Sequence, residues 1–361
     1  MVGYIRQLYR EFQGEILPIP WRTLSVIFIV SLFFIPLTSN VFVMRVFIMT
    51  NIYVILAVSW DFLAGFLGQL NFGQVFFFGG ATYVAALLNI HLGLPPWATI
   101  IIGALAAMVM GLILAFPVLR LRGLYFALAT LAFPIIATGF VNAFSDVTGG
   151  TEGLGGIDPI LAGSGTVLFY RTIIYYIVLL VMVISVLIMW KFTDGKSKLV
   201  RTGVIFHAIR EDEITARASG INTTRYKLLA FIISGFFAGI AGGLYVHFLR
   251  SSAMDTLSLA LTFQIVLWTI LGGLGTIYGA VIGVYALYPL MQFLTISDTA
   301  DQYRFAFQAL LLIVILLFMP QGIAPWVRDK LEISCERCKT VNSATRHVCR
   351  VCLTPLRPER E

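Results

Sequence analysis

From Ile173 to Trp190 the chain runs through eighteen residues without a charge, and Phe305 to Pro320 forms a second charge-free run. A helix needs roughly 20 mostly apolar residues to cross a bilayer, whereas strands of a membrane barrel alternate in segments of about 10. These runs do not alternate, so they read as helices. Composition says the same of the whole: 59% of the 361 residues are hydrophobic and 12% charged, against about 45–50% and about 25% in soluble domains. With a mean hydropathy of +0.90, most of this chain finds its solvent in lipid.

Ten spans are expected, at 24–39, 42–64, 69–91, 96–119, 123–143, 173–192, 225–250, 260–273, 275–292 and 303–321. Residues 1–23 carry Arg6, Arg10, Glu11, Glu15 and Arg22 and lead into Pro36 and Asn40, not into a small-residue cleavage site. The first apolar run is therefore expected to be retained as a span. Lys191, Lys196, Lys198, Arg201, Arg210, Arg217, Arg225 and Lys227 crowd segment 191–227, while 144–172 has Arg171 alone against Asp146, Glu152 and Asp158. Positive residues stay inside, so 193–224 is expected to be cytoplasmic, 144–172 external, and both termini cytoplasmic. Arg45, near an outer end, is the misfit. The net charge of +7 follows from the same rule and does not imply nucleic acid.

Glycines recur at helical spacing at Gly235, Gly239, Gly242 and Gly243, and again at Gly272, Gly273, Gly275, Gly279 and Gly283. Close helix packing in lipid accounts for them before a solute-facing role does. Trp60 to Gly68 faintly echoes Trp268 to Gly275, the kind of internal repeat in which transporters interrupt helices. Gln69, Asn71 and Gln74 are amides at membrane depth, where an unsatisfied polar group is costly. They either line a solute pathway or bond neighbouring helices. Thr148 and Thr151 belong to a glycine-rich external segment suited to meeting a delivered solute, or to an ordinary loop.

The 193–224 loop reads as a short amphipathic helix, with Ile205, Ile209, Ile214 and Ala218 on one face and Gly220 as its stop. Thr223 is placed to cap the next span. Mixed charges over Ala208, Ile209, Arg210, Glu211, Asp212 and Glu213 suit docking to a cytoplasmic partner. A fused ATPase is not expected: Gly195-Lys196-Ser197 resembles the end of a P-loop, but the glycine needed five positions before Gly195 is Trp190. All four cysteines fall in the last 27 residues, as Cys335-Glu-Arg-Cys338 and Cys349-Arg-Val-Cys352. Two such turns present four thiolates, which favours zinc, with iron as the alternative. His347 is a spare ligand.

Gly65-Phe-Leu-Gly-Gln-Leu-Asn-Phe-Gly73, Gly123-Leu-Tyr-Phe-Ala-Leu-Ala-Thr-Leu-Ala132, Thr148-Gly-Gly-Thr-Glu-Gly-Leu154, Ala208-Ile-Arg-Glu-Asp-Glu213, Gly220-Ile-Asn-Thr-Thr-Arg-Tyr-Lys227 and Leu271-Gly-Gly-Leu-Gly-Thr-Ile-Tyr-Gly279 occur in that order. Together they resemble the M-type permease of the high-affinity branched-chain amino acid importers, over roughly residues 50–325. The resemblance implies an H-type partner permease, two ATP-binding subunits, an external solute-binding protein and the cytoplasmic membrane of a prokaryote. It also implies that Ala208 to Gly220 is the ATPase-coupling segment. Relatives carry urea, short amides or other small solutes. Two features depart from the family: Asp61 stands where an asparagine is usual, and the cysteine tail is additional.

The fold expected is all-α: a polytopic transmembrane helical bundle of about ten membrane segments with a small cytoplasmic zinc-ribbon-like tail. Residues 1–23 form a cytoplasmic segment, 24–326 the permease and 327–361 the tail, with metal ligands Cys335, Cys338, Cys349 and Cys352. The activity expected is non-enzymatic: alternating access driven by partner ATPases. An ion-coupled secondary transporter would carry ionisable residues within its spans, and here these are nearly absent. A membrane-anchored metal or redox module would leave ten spans unexplained.

Overall fold

A computed structural model describes residues 20–38, 40–121, 123–161, 166–194, 202–296, 302–344, 346, 348–349, 351–352 and 354–356. Residues 1–19, the Gly195-Lys196-Ser197 stretch and His347 lie outside them. The helices in chain order are α1 (Pro20–Phe33), α2 (Val41–Leu67), α3 (Gln74–Leu92), α4 (Pro96–Val118), α5 (Leu124–Ala143), the single turn α6 (Ser145–Thr148) and α7 (Val167–Thr193). They continue as α8 (Thr202–Glu211), α9 (Glu213–Ala218), α10 (Thr223–Leu249), α11 (Leu259–Gly272), α12 (Ile277–Leu294), α13 (Arg304–Phe318) and α14 (Ile323–Leu331). Two small antiparallel pairs complete the fold: β1 (Leu154–Gly155) with β2 (Ser251–Ser252), and β3 (Glu332–Ser334) with β4 (Val341–Ser343).

Among the described residues seven helices are long and apolar enough to cross a membrane: α2, α3, α4, α5, α7, α10 and α12. The other three expected spans are α1, α11 and α13, of 14, 14 and 15 residues. At about 1.5 Å per residue each reaches little more than 20 Å of a core about 30 Å thick. Glycine and proline shorten them. Gly273, at φ 127°, ends α11, and the chain before it is spent on a 3-10 turn, Met254–Leu257.

Every residue from Thr50 to Leu67 is buried, so α2 is the axle around which α7, α10, α11 and α12 pack. A helix hydrophobic all round belongs in such a place. The glycine stripe of α10 does what its spacing suggests. A Cβ on Gly239 would stand 2.6 Å from Ala104 Cα, and one on Gly243 2.9 Å from Ile100 Cα, both on α4. Gly272 and Gly283 bring α11 and α12 equally close.

Gly68, at φ 73°, ends α2, with Gln69 N–H reaching back to Leu63 O at 3.0 Å. The chain then doubles back beside α2. Trp60 Nε1 donates to Asn71 O at 2.6 Å, and Gln74 Nε2 to Ser59 Oγ at 2.8 Å. Ser59 lies two turns, about 12 Å, above the end of α2, so α3 starts inside the bundle and not at its edge. The expected span at 69–91 is thus a helix from Gln74 preceded by a re-entrant segment.

Candidate coupling site and metal centre

The 202–222 segment is two helices meeting at Asp212, not one. The Asp212 carboxylate accepts from Ile214 N–H at 2.8 Å and Thr215 N–H at 3.2 Å, capping α9 in a new direction. The Thr215 hydroxyl and these N–H groups hold its carboxyl below the usual range. The shared apolar face expected of a single helix is therefore split. Phe206 and Ile209 are buried under α8, while Ile214 is 66% exposed at the tip of α9. Glu211 is exposed, Ala208 half-buried and Gly220 takes φ 85° to leave α9. The cap of α10 is Asn222, accepting from Arg225 N–H at 3.1 Å, and not Thr223.

The Thr223 hydroxyl instead joins a charge knot. Glu213 Oε1 meets Arg217 Nη2 at 2.5 Å and Thr223 Oγ1 at 3.2 Å, and Oε2 meets Lys227 Nζ at 2.8 Å. Partial burial raises the Glu213 pKa, but the Lys227 hydrogen bond and charge, with Arg217 and Thr223, outweigh it and leave the carboxyl below its ordinary value. Arg217 and Glu213 also border a cleft of about 430 Å³ with Phe116, Arg120 and Leu228.

The root of α8 is keyed into the bundle. Phe206 meets Phe62 edge-on at 5.4 Å, and the Arg210 guanidinium donates to Gly65 O. A Cβ on Gly275 would stand 2.7 Å from Arg210 Nη1, so the same guanidinium abuts the break between α11 and α12. The break is tied to α2 a second time: Gly275 N–H donates to Asp61 Oδ1 at 2.8 Å. Asp61 is fully buried and its Oδ2 has no partner among the described residues. The two echoing stretches, Trp60–Gly68 and Trp268–Gly275, each close a helix into a glycine break, and Gly65 of the first packs against Gly275 of the second.

Of the amides, Asn71 and Gln74 are buried and bonded to each other at 3.1 Å, with Gln74 also reaching Ser234 at 3.1 Å; Gln69 is half-buried. Asn71 and Gln74 thus stitch α2, α3 and α10 together. A cluster with no local sequence signal sits nearby. Tyr53, Trp268 and Tyr288 pack ring against ring at 4.9 to 5.6 Å, and the indole N–H of Trp268 lacks a partner among the described residues.

At the opposite end of α10 the 149–161 loop is held by Asn89, which donates to Asp158 Oδ2 at 3.1 Å, and by the His247 ring, 2.7 Å from both Thr99 Oγ1 and Asp158 O. Thr148 Oγ1 donates to Val141 O at 2.6 Å, and Thr151 is exposed at the loop tip.

The four cysteines form one cluster, their Sγ atoms all within 4.8 Å. They pair across the two turns: Cys335 with Cys352 at 3.5 Å and Cys338 with Cys349 at 3.4 Å. A tetrahedron with metal–sulfur bonds of about 2.3 Å has edges of about 3.8 Å. The two turns are copies. Cys335 N–H donates to Thr340 O at 3.0 Å and Cys349 N–H to Thr354 O at 2.9 Å, each threonine standing two residues after the second cysteine. Backbone N–H groups of Cys352 and Val351 hold the Cys349 thiol down to about 6. These four residues are close enough to bind a metal ion.

The family described as branched-chain amino acid transport system / permease component matches residues 42–316. The chain is similar to the high-affinity branched-chain amino acid transport system permease protein LivM of Salmonella typhimurium, 30% identical over 312 residues, 81% of this chain and 72% of the relative. It is also similar to the probable branched-chain amino acid transport permease protein LivH of Methanocaldococcus jannaschii, 27% identical over 66% of this chain and 76% of the relative. The ribose import permease protein RbsC of Haemophilus influenzae is 27% identical over 74% and 81%. No solved structure matches.

Proposed function

The chain belongs to the family of branched-chain amino acid transport permease components, and we propose that it works beside a second, H-type permease, two ATP-binding subunits and an external solute-binding protein. It is the permease subunit of an ABC importer. Branched-chain amino acids are the solute this reading favours, because the M-type relative carries that name. The ribose permease relative makes another small solute the alternative.

One observation carries the coupling mechanism: the α8–α9 unit has an exposed tip and a root that contacts both the end of α2 and the break between α11 and α12. Ile214, bare and flanked by Glu211 and Arg217, offers an apolar knob in a charged rim, the composition of a docking surface. The cytoplasmic side follows from the positive-inside distribution, which puts this tip where ATPases are. When the ATPases close, the tip moves. Phe206 and Arg210 pass that motion to the end of α2 and to the Gly273–Gly275 break. Asp61 holds the break against α2, so the two shift together and expose the site alternately to each side. The permease does no covalent chemistry. The Thr148–Gly156 loop lies at the other end of α10, where solute arrives from its carrier.

The tail we assign to structural zinc held by Cys335, Cys338, Cys349 and Cys352. What supports this is a donor set of four thiols within 4.8 Å of one another on two matching turns, with Val348 and Val351 about half or more exposed. Folding free energy in such a module comes from the metal.

The test is affinity purification of the tagged chain from its native host. The reading requires co-purifying ATP-binding chains, lost on Glu211→Lys with Ile214→Asp while the permease still folds. Retention of those chains by the double variant would refute the coupling assignment.

A further inference from the structure

The cysteine module is joined to the transport machinery by a helix with no linker. Helix α14 ends at Leu331 and β3 begins at Glu332. Ala344 N–H, just after β4, donates to Leu331 O at 2.8 Å, closing the hairpin onto the helix end. The other half of α14 rests on the break between α11 and α12. A Cβ on Gly273 would stand 2.6 Å from Pro325 Cδ, and one on Gly322 2.5 Å from Gly273 Cα. Arg328 Nη1 donates to the Tyr278 hydroxyl at 2.7 Å, one turn beyond the break on α12. Thus Gly273–Tyr278 is gripped from one side by α14 and from the other by Asp61 and Arg210 of the coupling path.

We propose that the four-cysteine module is a metal-responsive brake: the bound ion orders the β3–β4 hairpin, fixes α14 on the Gly273–Tyr278 break and slows the transport cycle. This rests on the four-thiolate reading of the tail and adds a role to it. A two-stranded hairpin alone is marginal in water, so the module is a two-state element governed by its ion. Anything that orders it favours the conformation in which α14 is docked and opposes movement of the break. The coupling is reciprocal: whatever nucleotide state displaces the break weakens metal binding by the same factor.

The experiment uses the intact complex, purified with its partner chains, reconstituted with binding protein, stripped with a chelator and reloaded with zinc alone. Solute-stimulated ATP hydrolysis and uptake are measured with zinc content per chain. Expected is one zinc per chain and a turnover several-fold lower loaded than stripped. Cys335→Ser with Cys338→Ser should turn over at the stripped rate with or without zinc. Tyr278→Phe should keep its zinc yet lose most of the slowing. One zinc per chain with identical loaded and stripped turnover overturns the brake and leaves the metal site standing. A complex that takes up no zinc overturns the metal reading and the brake with it.

Discussion

Replacing Glu213 by glutamine strands a cation at the foot of α10. The Lys227 side chain is 4% exposed and the Glu213 side chain 18%, with oxygens 2.8 Å from Lys227 Nζ and 2.5 Å from Arg217 Nη2. Removing one partner of a fully buried pair costs about 3–5 kcal/mol; partial access of water to Glu213 lowers this to about 2 kcal/mol. That is roughly a 30-fold change between docked and undocked α9, at about 1.4 kcal/mol per tenfold. Hydrogen exchange over 213–222 should rise accordingly, and ATP hydrolysed per solute should increase as α9 loosens from α10. Lys227→Met added to Glu213→Gln removes the stranded charge and should recover most of the stability. Unchanged exchange in the single variant, or a double variant as unstable as the single, would refute the argument.

The Glu213 pKa lies below its unfolded value of 4.5. A depressed carboxyl contributes above the unfolded value and loses that contribution as pH falls through the folded one; α9 protection should thus hold flat from pH 8 to 5 and collapse only below about 4.5. Gly239→Val should prevent stable insertion, because the added carbons meet the α4 backbone at Ala104; a detergent melting curve like that of wild type would contradict this. Asp61→Asn should preserve the Gly275 bond, since an amide oxygen accepts as well, and leave uptake near wild type. Asp61→Leu should abolish that bond and uptake together. A peptide spanning 331–361 should be unstructured without metal and ordered by one equivalent of zinc, read by circular dichroism.

Helices announced themselves wherever an apolar run was long, and the glycines of α10 announced a packing stripe through their spacing alone. What local pattern could not show was depth. Nothing in Gly68–Gly73 says that the chain folds back beside α2, because the bonds responsible, from Gln74 to Ser59 and Ser234, link residues 15 and 160 positions apart. The same distance hid the meeting of Asp61 with Gly275, although the echo between their stretches hinted that the two breaks are related. In the coupling segment the charges were legible, but an aspartate followed by Thr215 was also a cap signal, and reading it would have split the helix at Asp212. The tail's four clustered cysteines were legible, whereas the packing of α14 on the break between α11 and α12 depends on Gly273 having no side chain.

The central claim is that motion at α8–α9, driven by a separate ATPase, moves solute through this bundle. Its most direct test is uptake into vesicles holding the complete complex, with ATP inside and binding protein outside, against vesicles holding the permease chains alone. Accumulation should require ATP and the ATPase chains, and should fail in Arg210→Ala, whose Gly65 contact is lost, while ATP hydrolysis continues. Accumulation by the permease chains alone on a proton or sodium gradient would contradict the account.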